Sequence, residues 1–397
     1  MKKEWVLVIF FAVSGASHPA FSGPAIINSP SAFFAENKVQ IEQRAKDWFE
    51  KGNRAVVSGS YLEAIEAYTN AINLNPEYTE AYLHRGIVYA RDLENYQRAV
   101  KDYDKVIELK PQFAGAYNNR GLAHEKLGNY YLAIIDFGKA IQLDPENSGT
   151  YSNRGVVYSK IRNFQQAIID YNRAVKLNPG FAEAYNNRGY AFKELGKFNQ
   201  AFKDFSRAIE LNPKFFRAYN NRGSTYSEIG NFKKAFRDFN RAIKLKPEFS
   251  EAYYNRARTH REIGNYKEAI NDLNMAIQLN SAYEEAYYNR GKTYHFLGDY
   301  KRAVEDYNKV IQLNSRKAEY YYGRGAAYKK MGGYREALKS YTQAIQLNDQ
   351  YAEAYGNRGL VFWRLNNQKR AVNDLKTAAR LGYLPAQDYL QSKRIKW

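Results

Sequence analysis

Residues 182–215 read AEAYNNRGYAFKELGKFNQAFKDFSRAIELNPKF, and the same pattern returns about every 34 residues on both sides. Tyr185, Arg188, Gly189 and Phe192 fall at i, i+3, i+4 and i+7, the spacing that lines one face of a helix. Leu195-Gly196-Lys197 breaks the pattern, and glycine is the residue that most easily takes the left-handed conformation at a helix end. A second stripe follows, Phe198, Ala201, Phe202, Phe205, Ala208 and Ile209. It ends at Asn212-Pro213, where proline cannot donate the next hydrogen bond. The unit is a helix, a short turn and an antiparallel helix, and the fold class is all-α.

Glycine inside a helix costs roughly 1 kcal/mol against alanine. Close packing supplies the reason for it: with no side chain at Gly189 and only methyls at Ala201 and Ala208, the two helices approach while Tyr185, Phe192 and Phe205 fill the space beside them. These residues at these spacings, with Gly196, Phe198 and Pro213, resemble a tetratricopeptide repeat. The resemblance runs from about Ala45 to the end of the chain and implies a right-handed superhelical solenoid of antiparallel helix pairs. About ten units are expected, starting near residues 45, 79, 114, 148, 182, 216, 250, 284, 318 and 352 of an array spanning 36–385. A closing helix over 386–397 is expected to cover the last apolar face. The proline of Pro145, Pro179, Pro213 and Pro247 becomes Ser281, Ser315, Asp349 and Tyr383 in the last four units, where Ser and Asp are expected to cap the following helix. Ser60, Asn129, Asn163, Asn231, Asn265 and Asp299 are expected N-caps of second helices.

The start of the chain has a different character. Lys2 and Lys3 precede the apolar run Trp5 to Val13, and Ser14-Gly15-Ala16 and Ala20-Phe21-Ser22 offer small-residue cleavage sites. Residues 1–22 therefore read as a signal peptide and residues 23–35 as a leader, so the mature protein is expected to be exported, periplasmic or secreted, without a stable membrane span. The 397 residues include no cysteine, which removes disulfides, thiolate metal sites and cysteine nucleophiles together.

No nucleophile elbow, phosphate loop or dinucleotide fingerprint occurs, and no two histidines lie at metal-ligand spacing. Catalysis, a metal and a cofactor are not expected. His124 and His260 occupy the slot of Phe192 and are expected to be packed rings. Arg85, Arg120, Arg154, Arg188, Arg222, Arg256, Arg290 and Arg358 sit on the core-side stripe of first helices. Each has an aspartate in its own second helix, from Asp102 through Asp136, Asp170, Asp204, Asp238, Asp272 and Asp306 to Asp374. In the ninth unit Arg324 meets Ser340 instead. Partly buried, structural ion pairs joining the two helices are expected.

At 100° per residue, the side of the first helix opposite its core stripe carries Glu183, Asn187, Tyr190 and Glu194. In tetratricopeptide superhelices that side lines the concave groove, so the resemblance implies a scaffold that binds an extended peptide or partner protein there. The slot of Tyr190 is apolar early, at Leu122, Val156 and Tyr190, and basic later, at Arg258 and Lys292, with Arg261 and Lys329 adding to the basic end. A partner with apolar residues toward one end and acidic residues toward the other would fit. The alternative is an anionic polymer such as nucleic acid drawn by the net charge of +19, which export and the many Lys and Arg on second helices disfavour. A second slot on this side holds Asn119, Asn153, Asn187, Asn221, Asn255, Asn289 and Asn357. Asparagine is a poor exposed helix residue, and a row of carboxamides can pair with successive peptide groups. The row resembles the asparagine ladder in the superhelix of O-linked N-acetylglucosamine transferase, though the chain has no glycosyltransferase domain. Hydrogen bonding between neighbouring repeats is the structural alternative.

Sequencing the N-terminus of the exported protein should give a start between about Ala16 and Gly23; a start at Met1 would overturn the signal peptide.

Overall fold

A computed structural model describes the backbone of residues 30–397 and the side chains of residues 38–397, and every described element is helical. The signal peptide and most of the leader lie outside the described residues. The chain divides into two compact units, Met1–Leu211 and Asn212–Trp397. In the first, the helices are α1 (Pro30–Val57), α2 (Tyr61–Leu74), α3 (Thr79–Arg91), α4 (Tyr96–Leu109) and α5 (Ala114–Lys126). They continue with α6 (Tyr130–Leu143), α7 (Ser148–Lys160), α8 (Phe164–Leu177), α9 (Ala182–Glu194) and α10 (Phe198–Leu211). The second unit holds α11 (Phe216–Glu228), α12 (Phe232–Leu245), α13 (Ser250–Glu262), α14 (Tyr266–Leu279), α15 (Glu284–Phe296) and α16 (Tyr300–Leu313). It ends with α17 (Ala318–Lys330), α18 (Tyr334–Leu347), α19 (Ala352–Arg364), α20 (Gln368–Arg380) and α21 (Leu384–Ser392).

Within each unit the odd and even helices pair, and each even helix also packs on the next odd one. Successive odd helices touch as well, at α3/α5, α5/α7 and α7/α9 in the first unit and at α11/α13 through α17/α19 in the second. The first helices of the repeats therefore lie on the more tightly packed side of each stack. The close approach at the repeat centre has the expected cause. A Cβ at Gly189 would lie 2.9 Å from Cε1 of the fully buried Phe205. The turn is equally constrained, for Gly196 has φ +70° while Arg162 takes φ 60° at the same slot with a side chain.

Three local expectations are corrected. Helix α1 begins at Pro30 rather than at residue 36, because proline is well placed in a first turn and residues 31–37 contain no breaker. For the same reason α21 begins at Leu384 with Pro385 in its first turn, and it stops at Ser392 rather than running to the end, Arg394 taking φ 55°. Ser281, Ser315 and Asp349 are not caps; Tyr283, Lys317 and Tyr351 occupy the N-cap positions of α15, α17 and α19, with no side-chain cap bond. Among the expected second-helix caps, Asn163, Asn231 and Asp299 accept a backbone N–H, whereas Ser60, Asn129 and Asn265 stand at the N-cap without such a bond.

The arginine–aspartate pairs form. In all eight, Arg Nε and Nη2 donate to the two carboxylate oxygens of the aspartate at 2.6–3.0 Å. Arg324 donates Nε to Ser340 Oγ at 3.1 Å. The carboxylates are buried, and burial pushes Asp102, Asp204 and Asp306 above the usual carboxylate range against the pull of the guanidinium each faces. Burial has the same origin at the histidines: His124 and His260 are held below the ordinary imidazole range, each 3.9–4.0 Å from its aspartate.

A further bond leaves the repeat. Arginine Nη1 donates to the second helix of the preceding repeat, to Thr69, Asp104, Asn172, Asn240, Asn274, Asn308 and Thr342 from Arg85, Arg120, Arg188, Arg256, Arg290, Arg324 and Arg358, at 2.5–3.2 Å. One guanidinium thus ties three helices.

Removing one member of such a pair strands a buried charge, which typically costs about 3–5 kcal/mol. Arg188→Leu should lower the denaturation midpoint by that order, and Arg188→Leu with Asp204→Leu should recover most of the loss. A double variant no more stable than the single would refute the pairing as the cause.

Candidate interaction surfaces on the first helices

In the first unit the outer side of the first helices is electrostatically closed. Glu125, buried on α5, pairs with Lys160 of α7 and with Lys126 at 3.5 Å, and Arg162 approaches Glu194 at 3.9 Å. Leu122 and Val156 are only partly open, the first packing against Ala133 and Phe137 and the second against the Phe164 cluster. Tyr190 is exposed, its ring edge-on to Phe164 at 6.4 Å. Three expected site residues therefore sit on one side of the stack, with Tyr190 alone freely presented.

The asparagines of the row are half-buried or buried, and most are already bonded. Asn153 Nδ2 donates to Asn118 Oδ1 and Asn255 Nδ2 to Asn220 Oδ1, both at 3.1 Å and both from one repeat to the one before. Asn289 Nδ2 donates to Tyr254 Oη at 3.1 Å while its Oδ1 accepts from Arg261 Nη1 at 2.7 Å. Asn357 repeats this with Tyr322 Oη at 3.1 Å and Lys329 Nζ. Asn119 and Asn187 accept from their neighbours Asn118 and Asn186 at 3.4 and 3.1 Å. At Asn153, Asn255, Asn289 and Asn357 the geometry is that of inter-repeat bonding. The ninth repeat has Gly323 in this slot, where a Cβ would lie 2.7 Å from the Tyr307 ring.

The second unit differs in charge. Arg258 and Lys292 are exposed, Arg261 and Lys329 half-buried, and among the described residues no carboxylate forms an ion pair with any of the four, nor with Lys330 or Arg364. Arg261 Nε has no hydrogen-bond partner among the described residues. The cations are close enough to feel one another. Burial and then Arg261 hold Lys292 below the usual ammonium range, and burial and Lys330 do the same to Lys329. His295 is lowered by burial and by Lys330 and Lys329. Aromatic rings lie between them: Tyr254 packs on Tyr283 and Tyr288 on Tyr320, both with centroids 5.0 Å apart, and Lys292 Nζ stands 5.4 Å from the Tyr288 ring.

One slot escaped the sequence analysis. Val88, Ala123, Val157, Ala191, Thr225, Thr259, Thr293, Ala327 and Val361 are fully buried, and Val157 and Val361 pack where their first helix meets the preceding second helix of the same unit. The three threonines satisfy their hydroxyls on the carbonyls of Asn221, Asn255 and Asn289. A run of small or β-branched residues was the available signal.

Family comparison agrees with this architecture. Models described as tetratricopeptide repeat match residues 114–147, 149–181, 182–215 and 216–249, and others match 239–271 and 352–381. Models described as TPR repeat match 52–92, 90–128, 257–298, 293–332 and 332–366. The chain belongs to the tetratricopeptide repeat family. No curated protein matches it. Among solved structures, a tetratricopeptide repeat protein from Parabacteroides merdae is 22% identical over 63% of this chain and 98% of its own, with a TM-score of 0.54. The Cut9–Hcn1 hetero-tetramer of APC/C is similar over 91% of this chain and 92% of its own at 16% identity, TM-score 0.51. YrrB, described as a TPR protein with an unusual peptide-binding site, is 29% identical over 47% of this chain and 96% of its own, TM-score 0.39. The first two share the fold.

If the asparagines join repeats, Asn357→Ala should cost about 1–2 kcal/mol by denaturant titration, since Tyr322 Oη and Lys329 lose a partner together. Unchanged stability would return the row to the ligand.

Proposed function

We propose that the chain is a non-catalytic, exported interaction scaffold whose first helices bind extended segments of a partner protein, the second unit taking an acidic segment. Tetratricopeptide proteins commonly bind protein or peptide partners, and no described helix is long and apolar enough to cross a membrane. The observation that carries the proposal is that, among the described residues, no carboxylate pairs with Arg258, Arg261, Lys292, Lys329 or Lys330, beside the internally paired Glu125 and Glu194 of the first unit. Like charges held together in partly desolvated surroundings raise the local potential and favour an anionic partner. In the first unit Tyr190 supplies an apolar contact. Asn119 and Asn187, whose Nδ2 groups have no partner among the described residues, supply donors to a peptide backbone.

An anionic polymer is the competing reading, and salt separates the two. Fluorescence anisotropy with a Glu/Asp-rich labelled peptide and with a single-stranded oligonucleotide of equal charge provides the test. Lys292→Glu with Lys329→Glu should weaken the peptide about tenfold or more. An oligonucleotide that binds more tightly than the peptide, with a log–log salt slope of several units, would favour the polymer. A peptide indifferent to both substitutions would refute the proposal.

A further inference from the structure

The second helix α6 departs from its counterparts on the opposite, outward side of the repeats. Tyr131, Leu132 and Ile135 are 76%, 45% and 49% exposed. The same three slots hold Gln97, Arg98 and Lys101 in α4, Asn199, Gln200 and Lys203 in α10, and Lys233, Lys234 and Arg237 in α12. The helix after it, α8, keeps only one of the three apolar residues, Ile169, beside Gln165 and Gln166. Nothing in the repeat needs this apolar stripe, since the core of α6 is already built from Ala133, Phe137 and Ala140.

The second departure is on the same helix. The slot that gives arginine Nη1 its acceptor holds Asp104, Asn172, Asn240 or a similar side chain elsewhere, and Gly138 here. Arg154 donates Nε and Nη2 to Asp170 as its counterparts do, but Nη1 has no hydrogen-bond partner among the described residues. A Cβ built at Gly138 meets nothing within 4 Å except that Nη1, at 3.8 Å. Gly138 therefore leaves a recess floored by an unused donor.

Projection and recess lie on the same face of one helix. Tyr131 and Gly138 lie seven residues apart, which places them on one face of the helix about 10 Å apart along its axis. If a second α6 is laid antiparallel across the first with a two-fold axis midway between these residues, each Tyr131 falls on the other copy's Gly138, and the two Ile135 side chains meet near the axis. A two-fold interface requires this self-complementarity, a surface that carries both its own knob and its own hole. A foreign partner would need only one of them.

We propose that this face is the contact of a symmetric homodimer. Tyr131 of each copy enters the recess over Gly138 of the other, its hydroxyl accepts the hydrogen bond of Arg154 Nη1, and Leu132 and Ile135 are buried around it. The contact lies on a second helix, so it leaves the first-helix surfaces free and does not depend on what they bind.

Light scattering after size exclusion, run on the full chain from about 1 to 100 µM, reads the result directly. The wild type should pass from the monomer mass, 46.0 kDa with residues 1–22 retained, toward twice that mass. Gly138→Asn gives Arg154 the acceptor that Asn172 gives Arg188, and Ile135→Lys installs the residue of α4 and α10. Both variants should keep the helical spectrum and melting point and stay at the monomer mass across the range. Tyr131→Phe, which removes only the hydroxyl, should weaken association several-fold, by about one hydrogen bond per copy. A wild type that remains monomeric at the highest concentration overturns the proposal. So does association that neither Gly138→Asn nor Ile135→Lys diminishes.

Discussion

The structure depends on one guanidinium per repeat. In most repeats arginine on the first helix grips a buried aspartate on the second with two hydrogen bonds and reaches the preceding repeat with a third, so the geometry within a repeat and the stacking between repeats are set by the same planar group. A hydrophobic residue in this slot would bury more apolar surface and avoid the desolvation of two ions. What the ion pair adds is direction: the fork satisfies its three acceptors only when all three helices are in register. The glycine opposite the second-helix aromatic then lets the helices close, since a Cβ at Gly189 would lie only 2.9 Å from the Phe205 ring.

Much of this was legible because a repeat displays each local rule many times. Helix periodicity, the turn glycines and the covariation of arginine with aspartate within one unit all act over fewer than about 20 residues. The contacts that were not legible cross repeats. Nη1 reaching Asn172 and the buried slot of Val157 and Ala191 depend on how one repeat sits on the last, which periodicity within a helix does not encode. The asparagine row shows the same limit more sharply. Its regular spacing and poor helix propensity marked it as selected for something, but a carboxamide bonding Tyr254 and Arg261 has the same one-letter code as one waiting for a peptide.

Charge placement is the other organising feature. Each unit carries cations on its first helices or in the turns that follow them, yet the first unit answers Lys160 and Arg162 with Glu125 and Glu194, whereas Lys292 and Lys329 of the second have neighbours of their own sign. The repeats have kept their core slots while this outer slot varied from Leu122 to Lys292. A scaffold whose frame is held by buried pairs can vary its outer slots freely, because the pairs and not the outer side chains fix the fold.

The account claims that the uncompensated first-helix surface of the second unit is where a partner lies. Amide hydrogen exchange of the full chain with and without a bound Glu/Asp-rich peptide tests it most directly. Protection confined to residues 254–264, 288–298 and 322–332 is the predicted result. Protection centred on the second helices α12, α14 and α16, or none at a peptide concentration that saturates binding, would contradict it.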